Sequence, residues 1–256
     1  MATVKKGQFV WYEDMTRDPR GAIAFYSDVV GWKTEPFQGS DYTMWVSKQG
    51  PLGGVTKPPE EQARAGAPAT WLAHVQVDDV DATVGRARQL GGRVYREPTD
   101  IPTVGRFAVI ADPQGAALSI FKPAVADMPL HDTTKEGEFC WNELLTSDAV
   151  AAFRFYSDLF EWKILEEMDM GPMGTYRVFG VGDQRLGGIM TTPKGQPTPS
   201  AWLFYAETSD LEAALRRATT KGAKVLNGPM DVPGGRIVQL QDPQGAAFAL
   251  HQAARE

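Results

Sequence analysis

One cysteine, Cys140, stands in a chain of 256 residues, so no disulfide can form within it, and a reducing compartment is the expected setting. Basic charge is in deficit. Lysine and arginine number 26 against 32 aspartates and glutamates, a net charge of -6, which argues against nucleic acid as a partner because phosphate contacts need a basic face. Apolar residues never run on for the roughly 18 positions that a membrane span requires. Behind the two lysines of residues 1–7 there is no apolar core of a secretory signal. What is present is ordinary globular composition, 43% hydrophobic and 23% charged. The length favours two domains of roughly 100–150 residues or one large one. The expectation is a soluble cytoplasmic protein whose partner is a small molecule or another protein, with no nucleic acid and no membrane.

The chain repeats itself. The segment GQFVWYEDMTRDPRGAIAFYSDVVGWK at 7–33 returns as GEFCWNELLTSDAVAAFRFYSDLFEWK at 137–163. Without a gap, Phe9, Trp11, Glu13, Asp18, Phe25, Tyr26, Asp28 and Trp32 recur 130 positions later. Leu52-Gly53-Gly54 returns as Leu186-Gly187-Gly188, and Asp112-Pro113-Gln114-Gly115 as Asp242-Pro243-Gln244-Gly245. A period this long marks duplicated domains rather than a solenoid. The connector is placed at 123–136, rich in Pro, Asp, Thr and Lys, which gives domains over 1–125 and 126–256.

Each copy divides again, at a Pro-rich stretch over 58–68 in the first and 193–199 in the second. A strand at 8–14 leads to Asp18 as the cap of a helix, in which Ile23, Tyr26 and Val30 recur at helical spacing before Gly31. Residues 71–77 read as a strand, Asp79 as the next cap, and 82–90 as a helix stopped by Gly91-Gly92. Short β-rich runs at 107–110 and 117–121 flank the Asp112-Pro113-Gln114-Gly115 turn. Every quarter is thus a strand, a helix and about three strands, and the predicted fold class is α+β, four tandem βαβββ modules.

Together these features resemble the vicinal-oxygen-chelate superfamily of glyoxalases, bleomycin-resistance proteins and extradiol dioxygenases. A leading strand, an Asp cap, and a helix ending in Phe-Tyr-x-Asp before Gly-Trp look like its first module. Val77-Asp78-Asp79-Val80-Asp81, Leu90-Gly91 and the Asp-Pro-x-Gly turn look like its second. The resemblance covers nearly the whole chain, twice, and is similar to two-domain bacterial proteins described as glyoxalase-like or hydroxylase-like. It implies two open barrels, each with its site on a concave face. Modules in this superfamily pair within a domain or are exchanged across domains and chains. The chain is therefore expected to act as a monomer that is an internal pseudo-dimer, or as a homodimer.

Enzymes of that family usually hold one divalent metal that acts as a Lewis acid. The resemblance places its ligands at Trp11 and Trp141, Leu72 and Leu203, and Ser119 and Ala249. Trp, Leu and Ala cannot ligate a metal and Ser is a poor ligand, so neither the usual metal site nor a cofactor is expected.

Side chains two apart share one face of a strand. Trp11 then accompanies Phe9 and Glu13, and His74 accompanies Leu72 and Gln76. In the second copy Trp141 accompanies Phe139 and Glu143, Tyr205 accompanies Leu203 and Glu207, and His251 accompanies Ala249. Glu13 and Glu143 are the candidate catalytic groups, because a carboxylate facing an apolar interior is costly and has its pKa raised. Trp11, His74, Trp141, Tyr205 and His251 are the candidate ligand-binding groups, suited to an aromatic or planar molecule. A structural reading stands beside each. The tryptophans can serve the core, the glutamates can pair or face solvent, and His74 can be a satisfied core histidine. His251 near the C-terminus and His131 in the connector read as exposed, Cys140 as packing, and the Gly-Gly pairs as sites of bulges.

The function expected is that of a bleomycin-resistance-like protein binding a small molecule without the usual metal. The alternatives are a glyoxalase-type lyase or isomerase, or a hydroxylase-like enzyme. Either would use a metal at other ligands or metal-free acid-base catalysis through Glu13 or Glu143.

Overall fold

The structure is a computed structural model describing residues 4–37, 40, 42–64, 66–125, 128–193 and 199–254. Most of the second separating stretch, 194–198, lies outside the described residues, as do 126–127 of the connector. In the first copy, β1 (Phe9–Met15), α1 (Pro19–Val29), β2 (Lys33–Pro36), β3 (Thr43–Ser47) and β4 (Gly50–Thr56) form one module. The next is β5 (Thr70–Gln76), α3 (Val80–Gln89), β6 (Arg93–Ile101), β7 (Gly105–Ala111) and β8 (Ala117–Pro123). Between them the predicted separator holds a single short helix, α2 (Glu60–Arg64), closed by an ion pair from Arg64 to Glu60 at 2.6 Å. The second copy repeats the plan with β9 (Phe139–Thr146), α4 (Ala149–Phe160), β10 (Lys163–Asp169), β11 (Thr175–Val181) and β12 (Gln184–Thr191). It continues with β13 (Ala201–Glu207), α5 (Leu211–Thr220), β14 (Lys224–Val232), β15 (Gly235–Gln241) and β16 (Ala247–Ala253).

The α+β class and the fourfold βαβββ plan are therefore as predicted. Each copy supplies one eight-stranded mixed sheet, in the order β2-β3-β4-β1-β5-β8-β7-β6 and its repeat β10-β11-β12-β9-β13-β16-β15-β14. Local chemistry explains the helix starts. Asp18, Asp79, Asp148 and Asp210 each accept a backbone N–H of the first turn, satisfying a donor that the helix cannot. At the end of α1, Gly31 adopts φ 89°. The equivalent position after α4 is Glu161, held at φ 60° and paired with Lys6 at 2.5 Å, so the second copy keeps a left-handed cap without glycine.

By contacts, the chain divides into two compact units that each take one module from each copy. One comprises 1–10, 73–130 and 141–202, the other 11–72, 131–140 and 203–256. In the second of these units the Phe-Tyr pair of α1 meets the Asp-Pro-Gln-Gly turn of the other copy. The Tyr26 hydroxyl accepts from Trp71 Nε1 at 2.8 Å and donates to Asp242 Oδ2 at 2.9 Å, wholly buried. Trp32 Nε1 donates to the Gly137 carbonyl at 2.6 Å. In the other unit the relation is repeated with the copies reversed. The Tyr156 hydroxyl donates to the Ala116 carbonyl at 3.3 Å beside Asp112, and Trp162 Nε1 donates to the Gly7 carbonyl at 2.7 Å. Aromatic rings fill the space around each tyrosine, Trp45, Trp71 and Phe248 near Tyr26 and Trp162 and Trp202 near Tyr156.

Tyr26→Phe keeps the ring but strands a buried Trp N–H and a buried carboxylate oxygen. Urea unfolding should show a loss of about 1–3 kcal/mol; a variant as stable as the wild type would mean that these bonds carry no net stability.

Candidate functional site

The two faces of β1 differ as period-two alternation requires. Tyr12 and Asp14 are buried, whereas Trp11 and Glu13 are half-buried. On the half-buried face the indole of Trp11 donates to the Tyr42 hydroxyl at 2.8 Å. Burial, and then the nearby Glu13 carboxylate, push the Tyr42 phenol far above its usual range, so it stays a donor. The second copy repeats the set. Trp141 Nε1 donates to Tyr176 at 2.8 Å, and the Tyr176 hydroxyl donates to Glu143 Oε2 at 2.9 Å. Burial and Glu143 likewise raise the Tyr176 phenol.

The Gly-Gly pairs belong to this arrangement. Gly53 and Gly187 let β4 and β12 run close beside the first strands, where a Cβ would sit 2.1 Å from the Tyr12 carbonyl and 1.8 Å from that of Asn142. A Cβ on Gly54 or Gly188 would lie 1.9 or 2.0 Å from the phenol oxygen of Tyr42 or Tyr176. The predicted irregularity is present too, since the β3–β4 register shifts between Trp45 and Val46. Sequence reasoning did not single out either tyrosine. Counting back from Leu-Gly-Gly, rather than forward from the first strand, aligns Tyr42 with Tyr176 and would have found both.

The other candidates lie on the second modules. His74 is buried, with Phe107 and Phe121 each 6.2 Å from its ring, and Arg96 lies over Phe107 at 5.0 Å. Tyr205 is buried and accepts from Gln239 Nε2 at 2.6 Å. His251 is not simply exposed: its Nδ1 lies 2.5 Å from Glu207 Oε2, and 20% of its side chain is accessible. His131, expected at the surface, is also largely covered and meets the buried Glu138 at 2.8 Å. Trp11 and Glu13 fall in one compact unit with Tyr205 and His251, and Trp141 and Glu143 in the other with His74.

Two carboxyl features escaped the sequence reading. Asp14 is fully buried, and neither of its oxygens has a hydrogen-bond partner among the described residues. Burial first, then Asp242 and Glu13, push its pKa up to about 8. Its repeat equivalent is Leu144, a sign that the position belongs to the core. Second, Cys140, Glu207 and His251 bring their ligand atoms within 4.8 Å of one another. Burial, and then Glu207, hold the Cys140 thiol well above its ordinary pKa.

The residues at the places that the resemblance assigns to metal ligands do not fit a metal. The Trp11 and Trp141 N–H groups serve tyrosines, Leu72, Leu203 and Ala249 are buried hydrocarbon, and the buried Ser119 hydroxyl donates to the Ala108 carbonyl at 3.1 Å. A crevice of about 220 Å³ does exist, lined by Trp32, Lys48, Glu136 and Arg217, but none of the candidate catalytic or ligand-binding residues lines it. Its chemistry is structural: Arg217 donates to the Asp28 and Val29 carbonyls that end α1, and Lys48 pairs with Glu136 at 2.9 Å.

Residues 12–121 match the family described as Glyoxalase-like domain, and residues 140–250 match the Glyoxalase/Bleomycin resistance protein/Dioxygenase superfamily. The chain belongs to that superfamily. Among its relatives is "Putative glyoxylase CFP32" of Mycobacterium tuberculosis, 32% identical, the alignment covering 98% of this chain and 96% of that protein. Another is the anthracycline biosynthesis protein DnrV of Streptomyces peucetius, 30% identical over 98% of this chain and 94% of that one. The fold is shared with the Mn(II)-bound glyoxalase of Novosphingobium aromaticivorans, at a TM-score of 0.64 and 15% identity over 98% of this chain and 83% of that chain. It is shared also with homoprotocatechuate 2,3-dioxygenase of Arthrobacter globiformis, at a TM-score of 0.66 and 15% identity over 98% and 81% of the two chains. Among the described residues, no helix is long and apolar enough to cross a membrane.

Asp14 stays protonated in the folded chain up to about pH 8, whereas an ordinary aspartate ionises near 3.8. Between those values the folded state holds the extra proton, so stability is greatest below the window. It falls as pH rises through it, by up to about 1.4 kcal/mol per unit. Asp14→Leu should remove that fall. A gap in melting temperature between wild type and variant that stays constant from about pH 4 to about pH 9 would refute the assignment.

Proposed function

We propose that the chain is a cytoplasmic binder of a small planar or aromatic molecule. The ligand is held on the faces marked by Trp11, Tyr42 and Glu13 and by Trp141, Tyr176 and Glu143, without the metal that its family usually carries. The domains over 1–125 and 126–256 each offer one such face, and His74, Tyr205 and His251 add polar groups from the second modules. The observation that carries this reading is the indole–phenol–carboxylate set, present twice and hydrogen-bonded throughout in the second copy. An indole held by its N–H presents a fixed ring for stacking, and the carboxylate can accept from a hydroxyl or amine of the ligand. One relative is named an anthracycline biosynthesis protein, and an aromatic ligand class is consistent with that name.

A second reading is metal-free general-base catalysis by Glu143, favoured by its burial and by the Tyr176 hydroxyl that orients one oxygen. Glu143→Gln separates the two: it should abolish turnover of any substrate found, while a binder that never turns over leaves only an affinity to change.

Calorimetric titration with an anthraquinone is expected to show saturable binding. Replacing Trp11 or Trp141 by Leu should weaken it by roughly two- to tenfold each, the worth of one stacked aromatic pair. Binding that survives unaltered when both tryptophans are replaced overturns the proposal.

A further inference from the structure

We infer that Cys140, Glu207 and His251 form a site for a thiophilic divalent cation of the zinc class, present in the second copy alone. The three donors come from three strands, β9, β13 and β16, and their ligand atoms already lie within 4.8 Å of one another. Tetrahedral ligation with bonds of about 2.0–2.3 Å sets donors roughly 3.3–3.8 Å apart. The site therefore needs only a small adjustment, in which the His251–Glu207 contact at 2.5 Å opens and an ion takes the place of the proton between them. The carboxylate is held for this by the Ala253 N–H, which donates to Glu207 Oε1 at 2.9 Å. The cysteine is positioned by its own contact, Sγ to the Tyr205 carbonyl at 3.4 Å.

The donor set selects the ion. Thiolate and imidazole favour zinc-like metals over magnesium or calcium, which prefer oxygen alone. Three protein ligands leave one coordination position open, and the partial exposure of His251 gives that position access to solvent or a small molecule. A nucleophilic role for Cys140 fits less well, because its thiol adjoins a carboxylate, which opposes the thiolate, whereas a bound cation favours it. The first copy shows what the same strands look like without the site. Val10, Gln76 and Phe121 stand at the equivalent places and supply no thiol, carboxylate or imidazole. The site lies beside the family's usual metal position rather than on it, since Trp141, Leu203 and Ala249 occupy that. It goes beyond the ligand binding proposed above and shares only His251 with it, so metal retention and ligand affinity are read separately.

The test uses the full chain purified without chelator and exposed to Zn(II), then read by native mass spectrometry and by competition with a chromophoric chelator. One retained equivalent is expected, and Co(II) in its place should give the near-ultraviolet charge-transfer absorption of a thiolate ligand. Cys140→Val, Glu207→Gln and His251→Phe each install the residue that the first copy carries, so the strands should accept them. Each should weaken Zn(II) by more than the roughly 10–100-fold that loss of a supporting group costs. No retained Zn(II), a cobalt spectrum without the thiolate band, or unchanged affinity in the three variants overturns the site. The cobalt spectrum needs no variant, so a variant that fails to fold leaves the question decidable.

Discussion

The buried bond from Tyr26 to Asp242 is the contact on which the arrangement of the chain turns. It joins a helix of the first copy to a turn of the second, and its lesser counterpart at Tyr156 joins the second copy to the first. A tyrosine hydroxyl and a carboxylate are expensive to bury unless they satisfy each other. Their pairing therefore prescribes which module packs against which. The Trp32 and Trp162 indoles reinforce the choice by donating to Gly137 and Gly7, the glycines that open the opposite copies. Duplication here is not two beads on a string. Each compact unit is completed by a module from the other copy.

Once the modules are placed, the alternation of the first strands divides a buried face from a half-open one. The face of β1 with Tyr12 and Asp14 goes inward, and the face with Trp11 and Glu13 stays half open. Glycines at 54 and 188 then admit a tyrosine ring close to that open face, which converts an isolated tryptophan into a fixed, hydrogen-bonded plane. The same alternation explains the cost at Asp14, a carboxyl on the inward face where the other copy has Leu144. The copies have thus diverged. The first buries an extra acid in its core, and the second gathers Cys140, Glu207 and His251 within reach of one another.

Much of the chemistry was readable because the chain contains its own comparison. Trp, Leu and Ser or Ala at the places that the resemblance assigns to metal ligands can be read in both copies without any structure, and a hydrocarbon side chain cannot bind a metal whatever surrounds it. The tyrosines were not found, because an insertion in the second copy shifts their spacing and hides the match. The Glu207–His251 contact was not found either. A parallel pairing of β13 with β16 sets those two residues side by side, and strand register across 44 positions of chain is not encoded in local periodicity.

The order and type of elements, the duplication, the helix caps at Asp18 and Asp79 and the superfamily follow from the amino-acid sequence alone, because each rests on local propensity or on self-similarity. Tertiary structure alone decided the rest: which modules share a core, that Trp11 and Trp141 face tyrosines rather than each other's strands, and that a lone cysteine stands beside a glutamate and a histidine. Those are contacts between residues far apart in the chain. Only the packing of buried polar groups, each requiring a partner, selects among the pairings that the pattern allows.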